Sequence, residues 1–230
     1  DNLKIFDNII KEYPTGDSTA TALKGVNIEF RENDIHYIPD LAFLYKRYVR
    51  SVEKKQRTAI LSFRPVTENF DQFFLWLRKG IAFLKSRNYH LVYYYQVKKD
   101  KEFMQKLYDL IGDNGIELRR DVVWYDDFEF YSDKEIVISN RLHCLLMGAV
   151  YGTVPFAYLD KGMLVRKIQD VFESSFGTSY TDYITDFTST EKLEKLIGDK
   201  IKHKSYIDNI VVSNEQCCRS TIKDIVEKFE

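Results

Sequence analysis

Cysteine is scarce in this chain: three residues among 230, Cys144, Cys217 and Cys218. The count is odd and two of the three are adjacent, which excludes a disulfide framework and fits a reducing compartment, so a cytoplasmic location is expected. There is no Cys-x-x-Cys and no paired-histidine spacing, so neither a zinc site nor any other metal or cofactor is expected. Ten glycines and four prolines are too few for a long disordered linker. No run approaches the ~20 apolar residues of a membrane-spanning helix. Charge of one sign is missing as well. Lys plus Arg number 34 against 35 Asp plus Glu, a net charge of −1, whereas a nucleic-acid binder carries a basic excess. Basic runs at Lys54–Arg57 and Lys200–Lys204 read as solvated loops or helix ends. The opening Asp1-Asn2-Leu3-Lys4 is not a signal peptide and does not begin with Met, so the chain is expected to be a fragment.

What the chain has is a core. Hydrophobic residues make up 44%, with 16 Tyr and 16 Phe, enough for aromatic packing and for faces on which sugars stack. From residue 57 on, apolar strand-like runs alternate with amphipathic stretches. Strands are expected at 58–63, 91–95, 116–118, 135–138 and 154–158. Helices are expected at 69–87, 100–111 (closed by Gly112), 126–131, 140–151 (closed by Gly152) and 162–174, with a terminal helix over 214–229. Short joints between alternating strands and helices predict an α/β fold, a Rossmann-like parallel sheet covered by helices. Residues 1–50 break that rhythm, with helical patterns at 1–13 and 19–24 and one strand-like run at 35–38. They read as an N-terminal appendage or the tail of a preceding domain, and 51–230 as the Rossmann-like domain.

Open parallel sheets bind ligands beyond the carboxyl ends of their strands. That rule selects Ser62-Phe63-Arg64, the segment near Tyr95-Gln96, Ser139-Asn140-Arg141-Leu142-His143, and Asp160-Lys161-Gly162. Arg64, Arg141, His143 and Lys161 then share one rim and describe an anion site. Ser139 or Asn140 is a good N-cap for the next helix, whose free N–H groups and dipole favour a phosphate. Arg141 has the fork to grip two phosphate oxygens, and replacing it is expected to leave thermal stability nearly unchanged. His143 is a candidate proton donor near neutral pH. Positions 141 and 143 do not share a helical face, so both reach one ligand only off the helix end. Each residue also has a plainer reading: a surface arginine, a core histidine, a turn-forming Asp40 after Pro39. Cys144 belongs to packing.

The string Ile136-Val137-Ile138-Ser139-Asn140-Arg141-Leu142-His143, followed by Gly148-Ala149-Val150-Tyr151-Gly152-Thr153-Val154-Pro155, resembles the signature of the polysaccharide pyruvyl transferase family. The resemblance takes in Ser62-Phe63-Arg64, Asp160-Lys161, and Pro39-Asp40-Leu41-Ala42-Phe43, where the family has Pro-Asp-Pro-Ala-Phe. It covers about residues 20–200. It implies the C-terminal half of a glycosyltransferase-B-like two-domain fold, with 51–230 its Rossmann-like donor-binding domain and 1–50 an appendage or the remnant of a first Rossmann-like domain. The implied reaction is transfer of a pyruvyl group from phosphoenolpyruvate onto two hydroxyls of a sugar or glycan as a ketal, in polysaccharide or glycan biosynthesis. Arg141 and His143 would be the catalytic pair, with His143 the general acid. Arg64, Ser139, Asn140 and Lys161 would bind the donor. Most of a first Rossmann domain is missing from the pattern. Two other classes stay open: a sugar transferase of the same architecture with a nucleotide-sugar donor, and a non-catalytic module that keeps the fold. The sequence names neither the acceptor sugar nor the oligomer, and a homo-oligomer remains open.

Overall fold

The computed structural model describes residues 38–49, 56–119, 125–159, 163–177, 184–185 and 191–227. The expected helices at 1–13 and 19–24, the strand at 35–38 except Ile38, and Asp160-Lys161 lie outside the described residues. A 3-10 turn, Leu41–Tyr48, comes first. Then follow β1 (Gln56–Ser62), α1 (Phe70–Ser86), β2 (His90–Tyr93), α2 (Lys101–Ile111), β3 (Glu117–Leu118), a 3-10 turn at Tyr125–Tyr131 and β4 (Lys134–Ser139). After β4 come α3 (Leu142–Val150), β5 (Val154–Tyr158), α4 (Met163–Phe176), β6 (Ile184–Thr185), α5 (Glu191–Gly198) and α6 (Lys200–Glu227).

The six strands form one sheet in the order β3-β2-β1-β4-β5-β6, every pair parallel. Parallel strands need helical crossovers, which bury both faces and explain the near-continuous apolar runs Ala59-Ile60-Leu61 and Ile136-Val137-Ile138. From β1 the chain steps outward through β2 and β3, then returns to the other side of β1 to lay down β4, β5 and β6. The expected Rossmann-like parallel sheet is thus the observed one.

Aromatic rings fill one part of the core. Phe63 beyond β1, Phe73 and Trp76 on α1, and Tyr158 on β5 are all buried, with centroids 5.1 Å apart for Phe63–Phe73 and 4.6 Å for Trp76–Tyr158. Helix α3 approaches the sheet at Gly148. A Cβ there would lie 2.5 Å from Val137 Cγ1 on β4, so only glycine permits this closeness. Gly152, just past the end of α3, holds φ 74° while the Gly152 and Thr153 amides donate to Ala149 and Gly148 carbonyls at 2.8 Å, reversing the chain into β5. The turn at 41–48 is anchored by Phe43, fully buried with its ring 6.0 Å from that of Phe176.

Most boundaries fall within two residues of expectation, and two of the differences bear on the site and the core. β2 ends at Tyr93 rather than Tyr95. The terminal helix begins at Lys200, not 214, because buried His203, Ile207, Val211 and Cys218 continue the same stripe toward the N-terminus. The basic run at 200–204 is therefore its first turn.

Candidate functional site

The strand order reverses between β1 and β4, where one crossover leaves to each side; in open sheets of this kind the binding crevice lies there, at the carboxyl ends of the strands. Ser62 and Ser139 are in register there. Ser139 Oγ donates to the Ser62 carbonyl at 2.6 Å and accepts from the Arg141 amide at 2.9 Å. Asn140 Oδ1 accepts from the Arg64 amide at 2.8 Å, and its Nδ2 donates to the Arg64 carbonyl at 3.3 Å. Both side chains are buried and already serve the backbone. Their contribution is to lock the loop after β1 to the loop after β4, which holds the Arg64 backbone against Asn140, the residue before Arg141.

The expected N-cap at Ser139 or Asn140 is corrected by this geometry. Arg141 occupies the cap position, with φ −106° and ψ 117° and no side-chain cap. Its carbonyl accepts the first helical hydrogen bond, from the Leu145 amide at 3.2 Å. Ser139 and Asn140 stand two and one residues too early, and their side chains are drawn to the end of β1 and the loop after it instead. Because Arg141 precedes the helix rather than riding on it, the objection that 141 and 143 cannot share a face does not apply.

Arg141 meets a residue that sequence reasoning missed. Its Nε donates to Asp100 Oδ2 at 2.9 Å and its Nη2 to Asp100 Oδ1 at 2.5 Å. Asp100 lies in the loop after β2, immediately before α2, with its side chain 1% exposed against 22% for Arg141. In the sequence it sits between lysines, Lys98-Lys99-Asp100-Lys101, and reads as solvated. The only signal was its place at the carboxyl end of a parallel strand. The ion pair changes the expectation of unaltered stability on replacing Arg141, since Asp100 would be left buried and unpaired.

His143 is the second residue of α3, and its side chain is 58% exposed. Its Nε2 lies 3.7 Å from Asp40 Oδ2, and the Asp40 side chain is 14% exposed. Asp40 Oδ1 accepts from the Ala42 amide at 2.9 Å and so caps the turn at 41–48. The turn-former reading of Asp40 holds, but the fold also carries the carboxylate across 103 residues of sequence to the histidine.

Below the crevice, Cys144 donates to Gln96 Oε1 at 3.1 Å and lies 3.6 Å from Ser62 Oγ. Burial pushes its thiol up from the usual range, which suits packing rather than nucleophilic work. Among the described residues no three His, Cys, Asp or Glu side chains are grouped to hold a metal ion, and no helix is long and apolar enough to cross a membrane. Of the four expected cations, Arg64 is tied by its backbone to the loop that leads into Arg141 and His143, and Lys161 lies outside the described residues. Arg141 and His143 each face a carboxylate. The rim therefore presents paired and directed donors, not an accumulation of bare positive charge.

No family model matches the chain, and no curated protein resembles it in sequence. Solved structures do resemble it. A Thermobaculum terrenum O-GlcNAc transferase mutant superposes with a TM-score of 0.51 at 9% identity, over 84% of this chain and 38% of that one. A UDP-N-acetylglucosamine 2-epimerase gives 0.53 at 13% identity, over 94% and 56%. The Methanocaldococcus jannaschii UDP-GlcNAc 2-epimerase, in complex with UDP-GlcNAc and UDP, gives 0.50 at 12%, over 74% and 48%. The chain thus spans roughly two fifths to just over half the length of these proteins. At such identities the likeness concerns the fold alone: a Rossmann-like parallel sheet surrounded by helices, consistent with the glycosyltransferase-B-like fold of these transferases and epimerases.

Proposed function

We propose that this chain is the donor-binding half of a transferase acting on sugars, and that it holds a phosphate-bearing donor at the carboxyl ends of β1 and β4. The observation that carries the reading is the convergence at the switch point: Asn140 ties Arg64 to the loop of Arg141, and His143 opens onto the same edge beside Asp40. The first turn of α3 adds backbone N–H groups and a favourable dipole for an anion. Arg141 and Arg64 take phosphate oxygens. His143 donates a proton or a hydrogen bond where charge changes during transfer.

Two donors fit this site. A nucleotide sugar is favoured by the comparisons, since both epimerases are named for UDP-N-acetylglucosamine and one is a complex with UDP-GlcNAc and UDP. In that case the arginines stabilise the departing nucleoside diphosphate. Phosphoenolpyruvate is favoured by the residue pattern. The Ser-Asn-Arg-Leu-His and Pro-Asp segments that carry the resemblance to polysaccharide pyruvyl transferases are the two segments that meet, through His143 and Asp40. In that case His143 protonates the methylene carbon. Two acceptor hydroxyls then add to the resulting oxocarbenium-like centre with loss of their protons, and inorganic phosphate leaves. Calorimetric titration with phosphoenolpyruvate, UDP and UDP-N-acetylglucosamine separates the readings. The donor that binds wild type and is lost in Arg64→Ala is the one used. Binding of none of the three would leave a non-catalytic module.

A further inference from the structure

We infer that Asp100 positions Arg141 for the donor phosphate, acting through the guanidinium rather than by touching the ligand. The inference rests on the reading of Arg141 as a phosphate ligand. Asp100 follows β2 and Arg141 follows β4, so their pairing bridges the carboxyl end of β1, the strand between them. The loop of Asp100 is itself fixed to that end. Its amide donates to the Val97 carbonyl at 2.9 Å, and Met104 Sδ on α2 accepts from the Phe63 amide at 3.2 Å.

A purely structural role explains this pair poorly. A buried ion pair is a weak source of net stability, because desolvation offsets the attraction, and well-packed apolar side chains commonly do as well. What the pair does achieve is orientation. Asp100 engages Nε and one Nη2 hydrogen, which fixes the guanidinium plane and turns the Nη1 edge away from the carboxylate. Arg141 keeps 22% exposure while Asp100 keeps 1%, so the open side of the pair is the arginine's. A planar fork held in this way loses little freedom when it meets two phosphate oxygens.

The test is a double-mutant cycle on the full chain, titrated by calorimetry with phosphoenolpyruvate and with UDP at a temperature where near-ultraviolet circular dichroism shows every variant folded. Asp100→Asn should weaken binding of the probe that wild type binds by about tenfold, since one of two oriented charge-assisted contacts is lost. Arg141→Ala should weaken it at least as much, and the double variant no further, because Asp100 has then nothing to orient. Two results would overturn the inference while sparing the donor reading. One is wild-type affinity in Asp100→Asn beside a weakened Arg141→Ala. The other is equal weakening by Asp100→Asn in both backgrounds. A wild-type chain that binds neither of these probes nor UDP-N-acetylglucosamine, or an Arg141→Ala that binds as tightly as wild type, removes the donor reading and the positioning role together. If Asp100→Asn does not fold, Arg141→Lys serves, since it keeps the charge and abolishes the fork. Weakening of about tenfold is expected there too, and affinity equal to wild type would overturn the role of orientation.

Discussion

Replacing Asn140 by Ala removes the side chain that ties the two loops of the crevice together. Two hydrogen bonds vanish, one at 2.8 Å from the Arg64 amide and one at 3.3 Å to its carbonyl. Asn140 is 3% exposed, so water does not readily replace the lost partner. A typical hydrogen bond contributes about 1 kcal/mol net, and a buried group left unsatisfied costs about 1–3 kcal/mol. The longer of the two bonds belongs at the low end, which gives about 2–4 kcal/mol in all. For a chain of this size each kcal/mol moves the melting temperature by about 2–4 °C, so a fall of about 4–16 °C is expected. Calorimetry of Asn140→Ala measures it, with Ser86→Ala as a control because the Ser86 hydroxyl is exposed and donates only to its own helix, at Phe83. Donor affinity should fall as well, since Arg64 loses the tether on both of its peptide groups. A melting temperature within about 2 °C of wild type would mean that these bonds do not hold the crevice, and the account of Asn140 would fail.

Arg141→Ala should lower stability by about 3 kcal/mol, because it leaves Asp100 buried without its partner, and adding Asp100→Leu should restore part of the loss; additive losses would refute the pairing as the cause. His143→Gln should suppress turnover by about 10²- to 10⁴-fold in the complete protein supplied with its acceptor, with donor affinity much less affected; turnover within a few-fold of wild type excludes it as the acid. Gly148→Ala should cost about 1–3 kcal/mol by driving a methyl into Val137, and Val137→Ala should recover most of that loss in the pair; two independent losses would contradict the close approach. Burial raises Tyr93, Tyr94, Tyr131 and Cys144, and it pushes Cys218 up to about 12 from 9.0. A raised folded pKa means that stability is intact below the unfolded value and declines as pH climbs toward the folded one. Urea midpoints should therefore be flat up to about pH 9 and fall above it.

The sequence by itself determined the alternation of buried strands and amphipathic helices, because burial on both faces writes continuous apolar runs such as Ala59-Ile60-Leu61 and leaves periodic stripes on the covering helices. It also determined which loops lie at the carboxyl ends, and hence Arg64, Arg141 and His143, since a strand's direction is simply that of the chain. Gly152 was legible as the end of the helix that opens beyond β4. What only the tertiary structure decided is partnership. Asp100 and Arg141 stand 41 residues apart and Asp40 and His143 stand 103 apart. No local periodicity encodes which acid meets which base, because side-chain pairing across strand ends follows from strand order and register. The order β3-β2-β1-β4-β5-β6 sets β2 and β4 on either side of β1, and that single fact brings an acid from among surface-like lysines to the arginine of the crevice. The same cause moved the helix cap to Arg141: Ser139 and Asn140 have the chemistry of caps, but a neighbouring strand end offered their side chains closer partners.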